Sequence, residues 1–128
     1  MRLLLDTHAL VWWMKSNKHL TPVAYEAVTS RNNEVFTSVA CAWEMAIKVG
    51  LGKWPEASSV LETFEADLTA VGVRILPISV THARTAGLMS SPHRDPFDRL
   101  LAAQAITEGL TLVTSDAKMA SLGAPCLW

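Results

Sequence analysis

The sequence predicts an α/β fold, a three-layer sandwich in which a central parallel sheet of four to five strands is flanked by helices. Three observations carry that expectation. Short apolar runs such as "RLLLD" (Arg2 to Asp6) recur along the chain and are too short for helices. They do not alternate polar and apolar residues, so they read as strands buried on both faces. Between them lie amphipathic segments with helix caps, and strands alternating with helices imply parallel pairing.

Each element has a local reason. After "RLLLD", Asp6 or Thr7 can cap a helix through "HALVWWMK". "TPVAYEAVTSR" is a second helix, with Thr21 as cap and Pro22 in its first turn. "EVFTS" is the second strand, after which Ser38 caps "VACAWEMAIKVGLG", a helix ending at Gly50 and Gly52. "SSVLETFEADLTAVG" is expected to be one amphipathic helix stopped by Gly72. "VRILPIS" is the third strand, "VTHARTAGLM" a short helix and "SSPHR" a loop. Asp95 caps and Pro96 opens "PFDRLLAAQAITEG", which stops at Gly109. "LTLVTSD" is a fourth strand, "AKMASLG" a helical turn and "APCLW" a fifth strand.

The 128 residues are expected to form a single domain, residues 1–128, with no internal repeat or low-complexity linker. Half of them are apolar and the formal net charge is −1, the balance of a compact chain rather than a disordered one. Such a charge supplies no global basic field. Nucleic-acid binding would need a local patch, or metal ions that offset acids. Cys41 and Cys126 lack CxxC spacing and nearby histidines, so they read as buried free thiols of a reducing compartment. The apolar start "MRLLLDTHALVWWM" is interrupted by Asp6 and His8 and has no small-residue cleavage site after it, unlike a signal peptide. No uncharged run reaches the length of a membrane span. The expectation is a cytoplasmic protein with no membrane partner.

The acids are the informative residues. Asp6 and Asp116 each follow an apolar strand, in "LLLD" and "LVTSD", which puts both at the carboxyl edge of a parallel sheet. Open α/β sheets bind ligands there, although each aspartate could simply cap the next helix. Glu44 sits on a stripe with Ala40, Ile47 and Leu51 that is otherwise apolar, and points toward packed structure; the simpler alternative is a surface pair with Lys48 four residues on. In "HRDPFDRLLAAQA" two aspartates stand where one cap would suffice. Asp95, before Pro96, is the cap, whereas Asp98 heads the small apolar face Leu101, Ala102, Ala105 and should point inward. Four gathered carboxylates repel one another and raise each other's pKa. Hard divalent ions offset that repulsion, and oxygen ligands without clustered His or Cys favour Mg²⁺ or Mn²⁺. A carboxylate-held metal pair is a known solution for phosphodiester hydrolysis.

This order of acids resembles the PIN domain over essentially the whole chain. "LLLDTHALVWW", "WEMAIKVGLGK" and above all "PHRDPFDRLLAAQA" are similar to the VapC-type toxins of bacterial toxin–antitoxin pairs. The resemblance implies a metal-dependent ribonuclease, homodimeric and held inactive by a cognate antitoxin. It carries the family's catalytic and metal-holding acids onto Asp6, Glu44, Asp98 and Asp116. Thr114 and Ser115 match the hydroxyl positions beside the last acid. Asp95 lies outside the general pattern but inside the short subfamily motif, so it ranks as a secondary member of the site.

Among other residues, Arg94, Arg99, Lys48 and Lys53 are the cations nearest the motifs and the candidates for RNA phosphates, set against the simpler reading of a solvated face. His8 and His93 flank the acids but read by default as surface or loop histidines. Trp12 and Trp13 are adjacent and cannot share a helix face, so one of them is a candidate for a partner surface unless the helix is buried over a wide arc. Two other functions compete with the nuclease. A catalytically idle PIN module would bind RNA or protein only. A signalling receiver domain would want paired acids after the first strand and a lysine after the last, and "LLLDTH" and "APCLW" supply neither.

Overall fold

A computed structural model describes Met1–Trp128. Its five strands are β1 (Arg2–Leu5), β2 (Glu34–Ser38), β3 (Arg74–Leu76), β4 (Thr111–Val113) and β5 (Cys126–Leu127). They form one sheet in the order β3-β2-β1-β4-β5, and every pairing is parallel. The chain therefore builds outward from β1 in one direction and then returns to build in the other. The reversal falls between β1 and β4, where Leu5 pairs with Val113 and the Asp6 N–H donates to the Val113 carbonyl at 3.1 Å. Such a reversal leaves a crevice at the carboxyl ends of the two strands.

Leu3, Leu4 and Leu5 are all fully buried. Successive strand side chains point to opposite faces, so both faces of β1 are covered and the sheet is the middle of three layers. The covering helices are α1 (Thr7–Met14), α2 (Pro22–Thr29), α3 (Val39–Gly50), α4 (Ser58–Glu62), α5 (Phe64–Ala70), α6 (Val80–Leu88) and α7 (Pro96–Glu108). None is long and apolar enough to cross a membrane. The caps are those expected: Asp6 accepts from Ala9 N–H, Thr21 from Ala24, Ser38 from Ala40, and Asp95 from Phe97 and Asp98.

Three expectations are corrected. The single helix expected over "SSVLETFEADLTAVG" is two, because Thr63 departs from helical geometry (φ −115°, ψ 27°) and its hydroxyl bonds the Asp67 carboxylate. The same hydroxyl bonds the Ser59 backbone carbonyl at 3.4 Å, and such side-chain-to-backbone bonds compete with the helical ladder. β3 keeps only three residues of "VRILPIS", since Pro77 follows and has no N–H for a ladder. On α3, Ile47 and Leu51 are exposed, and the inward face is Ala40, Cys41, Glu44 and Met45.

α7 ends at Gly109, which adopts left-handed backbone at φ 67°. A Cβ there would meet only Arg2 Nη1, at 3.9 Å, so space is not the obstacle. Gly109→Ala should therefore cost about 1–2 kcal/mol of backbone strain alone, read by urea unfolding. A variant as stable as wild type would show that the α7 terminus relaxes at no cost.

Candidate active site

Each acid reaches the sheet edge through a separate piece of local chemistry. Asp6 leaves β1 and turns into α1; its Oδ1 accepts the Ala9 N–H at 2.7 Å. Asp116 leaves β4 and opens a 3-10 turn (Ala117–Leu122), with its Oδ1 accepting from Lys118 N–H at 2.9 Å. Asp95 caps α7 through Oδ1, at 2.9 Å from Phe97 N and 3.1 Å from Asp98 N. In each of the three, Oδ1 serves the helix or turn and Oδ2 makes no backbone hydrogen bond. Capping and site membership are therefore compatible in these residues.

Glu44 comes from the inward face of α3 and is 8% exposed. Its Oε1 accepts the Thr7 hydroxyl at 2.5 Å and its Oε2 pairs with Lys48 Nζ at 2.9 Å. Both readings of Glu44 are realised at once, as a helical i,i+4 pair and as an inward carboxylate. Asp98, on the first turn of α7, bonds His93 Nε2 through Oδ2 at 2.7 Å. Leu101, Ala102 and Ala105 behind it are buried, as its helical position requires.

Asp6, Glu44, Asp95, Asp98 and Asp116 open onto one cavity of about 220 Å³, with Thr7, His8, Lys48 and Ser115 completing its polar wall. Thr114 is buried; its hydroxyl accepts the Asp116 N–H at 3.1 Å and favours the ionised form of Asp6. Five carboxylates face one lysine, which Glu44 already holds. The electrostatics show the strain. Burial pushes the Asp6 carboxyl up to about 6, and the charges of Asp98 and Glu44 push the same way against the hydroxyl of Thr114 and the N–H of Ala9. Burial likewise raises Asp98, with Asp95 and Glu44 adding to it and His93 opposing. His8 is lowered by its own burial and by Lys48.

The donor set fits a divalent cation. Ligating atoms of His93, Asp98 and Asp116 lie within 4.8 Å of one another. The remaining donors, on Asp6 and Glu44, are hard oxygens, of the kind Mg²⁺ and Mn²⁺ take.

A model of the PIN domain matches residues 3–125. The chain belongs to the PIN domain family. Ribonuclease VapC22 of Mycobacterium tuberculosis is 33% identical over 119 residues, covering 92% of this chain and 89% of that protein. Among solved structures, VapBC2 of Rickettsia felis, bound to a DNA fragment from its promoter, matches with a TM-score of 0.69 at 22% identity. That match covers 99% of this chain and 98% of the other. VapC20 of M. tuberculosis, described as a sarcin–ricin loop cleaving toxin, matches with a TM-score of 0.68 at 14% identity over 95% of each chain. At these identities the structural matches show the fold alone, the three-layer α/β architecture with an all-parallel sheet.

The PIN cavity gathers some of the expected residues and not others. Asp6, Glu44, Asp98, Asp116, Asp95, Ser115 and Lys48 line it. Arg99 turns its guanidinium onto the backbone carbonyls of Ala86, Met89 and His93, and so pins the loop ahead of α7. Arg94 lines a separate groove beside Trp43 and Phe97, and Lys53 is exposed outside the cavity. His8, which lines the cavity, and His93, which bonds Asp98, are the residues whose default reading was a surface or loop histidine. The only signal for His93 was a position five residues before Asp98, and contact at that spacing needs the loop to fold back onto the helix.

The raised Asp6 carboxyl should make the stability of the metal-free chain depend on pH. Its folded pKa, about 6, lies above the ordinary 3.8. The folded chain then binds the extra proton, so the contribution of Asp6 is fully present below about pH 4 and is lost as pH rises through about 6. Asp6→Asn keeps a good cap and mimics the neutral form. Its stability relative to wild type in EDTA should rise from near zero at pH 4 to on the order of 3 kcal/mol by pH 7.5. Urea midpoints measured across that range test this, and a difference independent of pH would sink it.

Proposed function

We propose that this chain is a metal-dependent endoribonuclease, the toxin of a toxin–antitoxin pair, that hydrolyses RNA phosphodiester bonds with Mg²⁺ or Mn²⁺ as cofactor. The observation that carries the reading is the convergence of Asp6, Glu44, Asp98 and Asp116, from four different elements, on one cavity at the β1/β4 reversal. A cap needs no such convergence. The relative named as a ribonuclease and the neighbours solved as toxin–antitoxin complexes support the same reading. An antitoxin is the expected inhibitor.

The chain's own residues supply placement. Asp6, Glu44, Asp98 and Asp116 would hold the cation. When bound, it would supply the positive charge that offsets their mutual repulsion and the Lewis acidity that phosphodiester hydrolysis needs. Lys48 and Thr7 fix both oxygens of Glu44. His93 orients Asp98, and the Thr114 hydroxyl holds the Asp116 backbone and favours ionised Asp6. Rigid placement of this kind counts because small displacements of catalytic groups cost large factors in rate.

We also propose a homodimer. α3 exposes Val39, Trp43 and Ile47 along one stripe, and the Trp43 ring meets Phe97 of α7 edge-on at 5.0 Å. An exposed apolar stripe of this kind favours self-association.

RNA cleavage should require Mg²⁺ or Mn²⁺ and stop in excess EDTA; undiminished activity in chelator would remove the mechanism. Asp98→Asn should lower single-turnover cleavage by more than about a hundredfold with the fold intact. Asp95→Asn should keep much of the rate, because Asn caps about as well, whereas Asp95→Ala should cost about 0.5–2 kcal/mol of stability. Equal loss in the two Asn variants would place Asp95 among the metal-holding acids. For the dimer, Trp43→Glu should shift light scattering at micromolar concentration toward a 14.0 kDa species. A wild-type chain already at that mass would end the proposal.

A further inference from the structure

The cluster of rings beside the acidic cavity has no part in holding a cation or capping a helix. His8 lines the acidic cavity, and its imidazole stacks on Trp54 at 4.5 Å between centroids with 27° between planes. The same imidazole meets Trp12 at 5.5 Å, and His19 stacks on the other side of the chain of contacts, 5.0 Å from Trp12 at 21°. Trp12, His19, Trp54 and Val11 line a cleft of about 410 Å³, with Lys15 and Asn17 also in its wall. That volume falls within the roughly 300–1,000 Å³ of small-ligand clefts. Lys48, which pairs with Glu44 in the acidic cavity, places its ammonium 5.6 Å from the Trp54 ring. The cleft and the acidic cavity are thus joined through His8 and Lys48.

We infer that this aromatic cleft is a nucleobase subsite, which receives an unpaired base of the RNA strand beside the phosphate held at the acids. The inference rests on the ribonuclease reading and deepens it. Three features choose a base over an apolar protein segment. First, the cleft adjoins the acids through a ring, so a strand with its phosphate in the cavity runs directly onto it. Second, partly exposed indole and imidazole rings are what unpaired bases stack on, and stacking tolerates any sequence. Third, the wall carries the groups a nucleotide needs. Lys15 offsets a neighbouring phosphate, against the one acid there, Glu56. Asn17 Oδ1 accepts the His19 N–H at 2.8 Å and sits 2.7 Å from His19 Nδ1. The amide is fixed by these contacts, and its Nδ2 has donors to spare for an acceptor on the base edge. Paired RNA cannot use such a cleft, so the subsite selects single-stranded or splayed-out nucleotides.

The test uses an oligoribonucleotide that the wild-type chain cleaves at a mapped bond, with an abasic ribose placed in turn at each of three positions on either side. One position should carry a roughly ten- to hundredfold loss in kcat/KM, the scale of a lost base–aromatic stack, and the others should carry little. Trp54→Leu and Trp12→Leu should each lose a similar factor on the intact strand and nearly nothing further on that abasic strand, while Trp54→Phe recovers most of the loss. Thermal unfolding of each variant separates a lost stack from a lost fold, and the comparison of intact with abasic strands on one variant does not depend on its absolute activity. An abasic profile that is flat, or that Trp54→Leu and Trp12→Leu leave unchanged, would overturn the base subsite while the nuclease reading stands, and would leave the cleft to a protein segment. Failure of the wild-type chain to cleave any RNA with Mg²⁺ or Mn²⁺ would overturn both.

Discussion

Mutual repulsion of carboxylates at one end of the sheet is the constraint on which the rest of this structure turns. Five of them line a cavity of about 220 Å³ whose one lysine is already paired. Like charges so gathered favour protonation or dispersal, and the chain resists both by giving each acid a different anchor. Asp6, Asp95 and Asp116 are held by backbone N–H groups at the starts of helices or turns. Glu44 is held by Thr7 and Lys48, and Asp98 by His93. Burial, with a smaller push from the neighbouring acids, still raises Asp6 and Asp98. On the proposed function, a divalent cation would supply the missing charge, and the same charge would let an RNA phosphate approach an otherwise repulsive surface.

The anchoring explains why caps and site residues coincide. A helix start offers N–H groups that hold one carboxylate oxygen and an N-terminal dipole that favours the ionised form. It also leaves the second oxygen aimed past the helix end. In a parallel sheet those helix starts all lie at the carboxyl edge, and the β1/β4 reversal keeps two of them from being covered by a crossover. A carboxylate at Asp6, Asp95 or Asp116 can therefore cap a helix or turn and still line the cavity. Substitution by Asn and by Ala separates the two contributions, because Asn retains the cap and removes the charge.

How far the chain could be read beforehand varies with the range of the interactions. Strands and caps follow from neighbours within four residues, and "RLLLD", "EVFTS", Ser38 and Asp95 all behave as read. The failures are those of competition between local and distant partners. Thr63 breaks an amphipathic run because its hydroxyl has another use, and Pro77 ends β3 early. Arg99 looked like a phosphate ligand by its nearness to the acids in sequence. It is occupied by carbonyls of α6 and of the loop that folds back ahead of α7. His93 is carried onto Asp98 by the same fold-back.

By itself, the sequence determined the element types, the parallel α/β class and the candidate acids. Each of these depends on apolar periodicity, cap chemistry or charge at short separation. Only the tertiary structure decided which of them meet. The order β3-β2-β1-β4-β5 brings Asp6 beside Asp116, more than a hundred residues away, and α3 and α7 deliver Glu44 and Asp98 to the same edge. It likewise decided that His8, Trp12, His19 and Trp54 form one run of rings leading out of the acidic cavity. Such meetings are set by strand register and helix packing across the whole chain. No local pattern encodes them, because each depends on where every other element comes to rest.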